Sequence, residues 1–366
     1  MKAGFYSSKA LFCVLLMLLG LAVSTEQASA VTQYTITDLG TLGGPAAYAY
    51  GINKAGQVVG GATTASDEHA FLWENGVMRD LGTLGGEEQS CASGINASGQ
   101  IVGNSLTAGG PLHAFLWQDG VMQDLGTLGG HNSWAGGISA SGQVVGSAYT
   151  ASEDRRAFLW EKGVMQDLGT LGGDESGAQG INASGQVVGA AATASGDTHA
   201  FLWEDGVMQD LGTLGGSVSI AMGINASGQV VGYGKTTSGD FHAFLWEDGT
   251  MQDLGTLGGV PSHAYAINEL GQVVGQVDSV WPGLCGFLWE NGVMYDLNTL
   301  IPADSGWSIR SADDINDLGQ IVGWGFDPSG ESHAFLLTPI PEPSTLGVLG
   351  LALLGAMRRL RRRMSY

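Results

Sequence analysis

The heptapeptide D-L-G-T-L-G-G begins at Asp38, Asp80, Asp124, Asp167, Asp210 and Asp253, and returns weakened as D-L-N-T-L at Asp296. Successive copies lie 42, 44, 43, 43, 43 and 43 residues apart. Between them run G-I-N-x-x-G-Q-V-V-G and then H-A-F-L-W-E-x-G-x-M-x-D-L-G, each with small variations. So regular a period means that one supersecondary unit is written seven times. A unit of this size buries its apolar surface only by stacking on its neighbours.

Unit four shows what the unit is. Ala178 to Asn182 predicts a short strand, Asn182-Ala183-Ser184-Gly185 a turn, and Gln186 to Ala190 a second strand. His199-Ala200-Phe201-Leu202-Trp203 predicts a third strand, Glu204-Asp205-Gly206 a tight turn, and Val207 to Leu211 a fourth. Phe201 and Trp203 point to one face of the third strand, and Ala200 and Leu202 to the other. A sheet apolar on both faces must be sandwiched between neighbours, so the tryptophans at 73, 117, 160, 203, 246 and 289 are expected in packing between units.

Four-stranded units of 40–45 residues suit a β-propeller, whereas linear stacking would give a solenoid. The two ends of the repeat array are complementary. The last unit stops after its third strand, His333 to Leu337, and the array begins with the missing fourth, Tyr34 to Leu39. The expected fold is therefore all-β: a seven-bladed β-propeller over residues 31–338, closed by an N-terminal strand that completes the last blade. Closure also removes exposed strand edges.

The ends carry addresses. Lys2 and Lys9, an apolar run from Ala10 to Val23, and Ala28-Ser29-Ala30 form an export signal over residues 1–30. Residues 339–366 hold Pro341-Glu342-Pro343, an apolar stretch at 346–357, and five arginines between Arg358 and Arg363. The apolar stretch is short for a spanning helix, and the arginines would hold that end on the cytoplasmic side. Without the two ends the chain keeps 7 basic and 33 acidic residues, a formal charge of −26. Such a surface repels nucleic acid and anionic headgroups, and neither is expected as a partner.

The three-part tail resembles the PEP-CTERM sorting signal of Gram-negative bacteria. The resemblance implies processing by an exosortase near Pro341-Glu342-Pro343, transient contact with the inner membrane, and then release to the cell surface or the medium. The triplets His69-Ala70-Phe71, His113-Ala114-Phe115, His199-Ala200-Phe201, His242-Ala243-Phe244 and His333-Ala334-Phe335 resemble the HAF family of extracellular repeats. Arg156-Ala157-Phe158 and Cys285-Gly286-Phe287 depart from its pattern. That resemblance implies export and repetition, and names no catalytic or binding residue.

No motif for nucleotide, phosphate or covalent catalysis is present; D-L-G-T-L-G-G lacks the Lys-Ser/Thr and the helix of a phosphate loop. The repeated histidines are expected to hydrogen-bond at strand entries, and the repeated aspartates to accept hydrogen bonds in turns. No cofactor is expected. Calcium is conceivable only at Asp313-Asp314-Ile315-Asn316-Asp317, where four oxygen-bearing side chains fall in five residues, although an acidic twelfth residue is missing. Cys91 and Cys285 have no metal or redox spacing. The longer loop of the last unit, Ile301 to Trp307, offers Asp304 and Trp307 as the candidate binding protrusion; the alternative is a loop that covers the closure.

These features favour a non-catalytic, exported protein of the cell surface or extracellular matrix, facing exopolysaccharide or envelope proteins. The competing reading is a polysaccharide lyase or hydrolase on a propeller scaffold. Such an enzyme needs paired carboxylates that stand out from the repeat and face a cleft.

Overall fold

The computed structural model describes residues 32–278 and 283–341, with the side chains of 86–88 excepted. The proposed export signal, Glu342 and Pro343, the apolar stretch 346–357 and the terminal arginines lie outside the described residues. The described residues from Gln33 to Pro341 belong to one compact unit. It is all-β; the one helical element among the described residues is a 3-10 turn at Leu297–Thr299.

Unit four again serves as the type. Its strands are Gly172–Ile181, Val187–Thr193, Thr198–Glu204 and Val207–Asp210, paired antiparallel in chain order. The first strand is longer than the sequence predicts. It reaches back into the Gly-Gly of D-L-G-T-L-G-G because register shifts after Gly172 and after Ala178 let it bend and continue. The turn at Asn182 is closed by its own side chain, whose Oδ1 accepts from the backbone N–H groups of Ser184 at 3.0 Å and Gln186 at 3.1 Å. Asp205 and Gly206 both take positive φ, 50° and 86°, as a two-residue hairpin between twisted strands requires.

Packing follows the two-faced third strand. Phe201 and Trp203 sit with Val145 and Ala157 of unit three, whereas Ala200 and Leu202 sit with Ala221, Phe244 and Trp246 of unit five. Trp117, Trp160, Trp203 and Trp246 are buried, and Trp73 and Trp289 are half-buried against equivalent clusters.

The two ends of the array meet as the sequence predicts. Tyr34–Asp38 pairs antiparallel with Ser332–Pro339, placing Ile36 opposite Leu337 and Asp38 opposite Phe335. Val322, Ala334 and Leu336 of the last unit share one core cluster with Ala47, Val58 and Phe71 of the first.

Candidate functional site

The polar residues that recur in every unit are occupied in holding the scaffold. The five histidines of the H-A-F triplets each place Nδ1 within 2.8–2.9 Å of the aspartate that opens the next D-L-G, as expected for a strand-entry hydrogen bond. The same aspartates accept from the glycine N–H two residues on, as Asp210 does from Gly212 at 2.8 Å. In unit three Arg156 replaces the histidine, with Nε 4.0 Å from Asp167.

Two further recurring contacts were not anticipated from sequence. Ser176 is buried; its Oγ accepts from Ala157 N–H at 2.9 Å and donates to Gly169 C=O at 2.6 Å, latching unit four to unit three. Ser90, Ser133, Ser219 and Ser262 do the same elsewhere. The G-I-N asparagines form a belt. Nδ2 of Asn53, Asn182, Asn225 and Asn268 donates at 3.1–3.2 Å to the C=O of the asparagine in the following unit, and Asn316 donates at 3.1 Å back to Asn53. Asn96 donates to Ser139, which stands where an asparagine is missing and is the interruption in the belt.

Within A-x-G-I-N, by contrast, the position x is free. It is Tyr50, Ser93, Gly136 and Gln179 in the first four units, and Met222, Tyr265 and Asp313 in the last three. In every unit a register shift brackets this residue: Ala178 pairs with Gly189 and Gly180 with Val188, leaving Gln179 unpaired between them. A β-bulge of this kind re-aims one side chain out of the ladder. The glycine of V-V-G permits the close approach. A Cβ on Gly189 would lie 2.0 Å from Gly177 O, and the equivalent approaches elsewhere are 1.9–2.1 Å. The seven bulge residues line one cavity of about 450 Å³. The sequence carries the signal for it: one variable letter inside an otherwise fixed phrase.

The cavity is chemically lopsided. Asp313 and Asp314 occupy a dipeptide that is x-Gly in five units and Tyr265-Ala266 in unit six. Asp314 is tied to the backbone, with Oδ2 accepting from Ile52 N–H at 2.8 Å and Oδ1 from Ile315 N–H at 2.8 Å. Asp313 Oδ1 accepts from Ser311 Oγ at 3.0 Å, while its Oδ2 is buried with no protein partner. Burial pushes both carboxyls up to about 7, and at Asp313 the neighbouring Asp314 charge adds to the effect. Tyr50 and Tyr265 flank Asp313 from the units on either side. Burial, first, and the Asp313 charge raise both phenols well above their ordinary range.

A second hollow, of about 590 Å³, lies over unit four. Its floor is small, with Gly177, Ala190 and Ala192, and its walls include Arg155, Glu175 and Tyr233 from units three to five. Equivalent positions in other units are filled instead. Tyr48 stands edge-on to Trp324 at 5.5 Å, Trp134 to Tyr149 at 5.8 Å, and Tyr233 to His263 at 4.4 Å.

The loop residues proposed from sequence for binding, Asp304 and Trp307, fall elsewhere. Trp307 is half-buried and edge-on to Phe335 at 6.3 Å, so its ring covers the sheet that joins the chain ends, while Asp304 is exposed nearby. The proposed calcium loop is not assembled as one: Asp313 and Asp314 belong to a strand, Asn316 closes its own turn, and Asp317 accepts from Glu269 N–H. A different trio, Asp38, Asp327 and His333, brings ligand atoms within 4.8 Å of one another. Its atoms are already engaged, since His333 bonds Asp38 and Asp327 accepts from Ser329 and Glu331 N–H groups. Cys91 is half-buried, its thiol pushed up to about 12 by burial and by Glu68; Cys285 is buried. Pro341 is the last described residue of the tail.

Residues 339–363 match the PEP-CTERM protein-sorting motif, which signals export to the cell envelope or surface and implies exosortase processing. No curated protein matches the chain. Among solved structures, a puromycin-hydrolyzing peptidase from Mycobacterium tuberculosis superposes with a TM-score of 0.54 at 12% identity, over 84% of this chain and 56% of that one. A gluconolactonase from Xanthomonas campestris gives 0.42 at 12% identity, over 86% of this chain and 94% of that one. The Aleuria aurantia lectin in complex with Fucα1-6GlcNAc gives 0.34 at 13% identity, over 68% and 95%. The peptidase likeness, at so low an identity, speaks to fold alone: the chain is an all-β, β-propeller-like protein that ends in a PEP-CTERM sorting motif.

Proposed function

We propose that this is an exported, non-catalytic binding protein of the cell surface or extracellular matrix, built as a closed seven-bladed propeller over residues 31–338. The export signal at residues 1–30 sends it out. The tail holds it briefly in the inner membrane of a Gram-negative host through residues 346–357, and an exosortase then releases it by cutting near Pro341-Glu342-Pro343. Closure is supported by the strand pairing of the two ends and by the Asn316-to-Asn53 hydrogen bond. The repeat triplets fit the HAF family of extracellular repeats.

One observation carries the binding role. The units differ from one another at the bulge residues and around the hollow over unit four, while the scaffold residues recur. A uniform ring with a varied lining presents one asymmetric surface, which suits recognition of an exopolysaccharide or an envelope protein. The exposed Asp304 beside Trp307 is a secondary contact at the rim. A glycan array probed with the processed protein tests the reading. Binding lost on filling the hollow with Ala190→Trp supports it, and a blank array together with no captured envelope protein overturns it.

The enzymatic alternative has one observation in its favour. Asp313, with its carboxyl near neutrality, faces a cavity and stands out from the repeat, as a general acid would. Its natural partner Asp314 has both oxygens bound to backbone N–H groups, leaving no second free carboxylate. Depolymerisation of a polysaccharide by the wild type but not by Asp313→Asn would establish the alternative.

A further inference from the structure

The cavity lined by the bulge residues contains one unmet chemical demand. Asp313 Oδ2 is buried and has no hydrogen-bond partner, although buried polar atoms in folded proteins are nearly always paired. The other three carboxylate oxygens of the Asp313-Asp314 dipeptide are occupied by Ser311, Ile52 and Ile315. No lysine or arginine is among the described residues lining the cavity. Two tyrosines, Tyr265 from the preceding unit and Tyr50 from the following unit in the closed order, line the same cavity.

These features select among ligands. Calcium or magnesium needs six or more oxygen ligands, and the site offers one free carboxylate oxygen. An anion meets a carboxylate and the strongly acidic surface of a chain with a formal net charge of −21. A neutral hydroxyl could satisfy the hydrogen bond, but it brings no charge to neutralise the carboxylate and no cation–π attraction to the tyrosine rings. A protonated amine supplies the missing donor, neutralises Asp313 and is attracted to tyrosine rings. From the reading of the bulge residues as a recognition surface, we infer that the cavity binds an organic ammonium group, with Asp313 accepting its N–H and Tyr50 and Tyr265 enclosing it. A glycan bearing free amino sugars fits this chemistry.

Calorimetric titration of the full-length protein in detergent at pH 8 tests the inference, with ethanolamine hydrochloride as probe and its neutral N-acetyl derivative as comparison. Ethanolamine is expected to bind at least tenfold more tightly than the N-acetyl compound. Asp313→Asn and Tyr265→Ala should each weaken it tenfold or more. Tyr265→Phe should largely keep it, as should Asp205→Asn, which removes an exposed charge elsewhere. A melting temperature of Asp313→Asn no lower than that of the wild type excludes misfolding as the cause. Equal binding of both probes, binding unaffected by Asp313→Asn, or heat only from calcium chloride would each overturn the inference. A positive glycan array alongside any of those results would leave the broader binding role standing and refute the ammonium site alone.

Discussion

His333 and Asp38 stand 295 residues apart in the chain, yet His333 Nδ1 lies 2.9 Å from the Asp38 carboxylate. In the four other units that keep the histidine the same bond spans 11 residues and stays within one unit. Here it pins the N-terminal strand to the last one. Asp38→Ala should destabilise by about 1–2 kcal/mol, through loss of this bond and of the Gly40 N–H acceptor. Deleting residues 33–40 should cost far more, since it also bares the edge of Ser332–Pro339. Thermal unfolding of the two variants checks the order, and equal melting points would refute closure by this strand.

Trp203 packs between unit four and unit three. Trp203→Ala should cost roughly 3–5 kcal/mol through the cavity it leaves. Chemical denaturation measures this; an unchanged midpoint would show that the ring is not part of the core.

The interrupted asparagine belt gives a prediction of the opposite sign. Ser139 is buried at the belt position but is too short to reach unit four as its equivalents do. Ser139→Asn should restore the missing hydrogen bond to Asn182 C=O and stabilise by about 0.5–1.5 kcal/mol. Asn225→Ala should destabilise by about 1–3 kcal/mol, since it breaks both a turn and a bond between units. Melting temperatures that move together, rather than apart, would refute the belt as a stabilising element.

Asp313 and Asp314 make stability depend on pH. Their folded-state values, near 7, lie above the ordinary 3.8, so the native state holds protons that the unfolded chain has released. The stability they contribute is fully present below about pH 4 and is lost as pH rises through about 7. Asp313→Asn should therefore change little at pH 4 and stabilise by the order of 1–3 kcal/mol at pH 8. The groups facing it are Asp314, Tyr50 and Tyr265, none of them cationic. Unfolding curves at the two pH values decide the matter; a variant less stable at pH 8 would mean that Asp313 is held as a favourable anion.

The tail predicts a mass. Twelve apolar residues would span about 18 Å if helical, well short of a bilayer core of about 30 Å. Processing near Pro341 should leave a mature species lacking Arg358 to Tyr366 in a host with the sorting machinery. Intact mass spectrometry reads this directly, and a dominant species that keeps those residues would make the protein a tethered one.

Much of the architecture was legible because repetition exposes it. Phe201 and Trp203 against Ala200 and Leu202 foretold the two packing faces, and the orphan strand at Tyr34 foretold its partner at His333. The candidate site was harder to see. Asp313-Asp314 looks like an acidic loop when read along the chain, and only the bulge that ejects one residue per unit shows that Asp313 belongs with Tyr50 and Tyr265. Trp307 stood out as an odd aromatic in a long loop, but a large apolar ring near an exposed strand end is drawn onto the nearest core, here Phe335. The serine latches were invisible for another reason: a small hydroxyl residue in a strand does not announce that it is buried.

The serine latch and the asparagine belt also bear on how such a chain can change over generations. Almost every junction between neighbours is made with the same few contacts, so nearly any unit is an acceptable neighbour for any other. Deletion, duplication or reordering of whole units would leave junctions made of the same contacts. What would differ among the descendants is the order of the residues facing the shared cavity, so the lining can be reshuffled as a hand of cards is, while the frame that holds it stays the same.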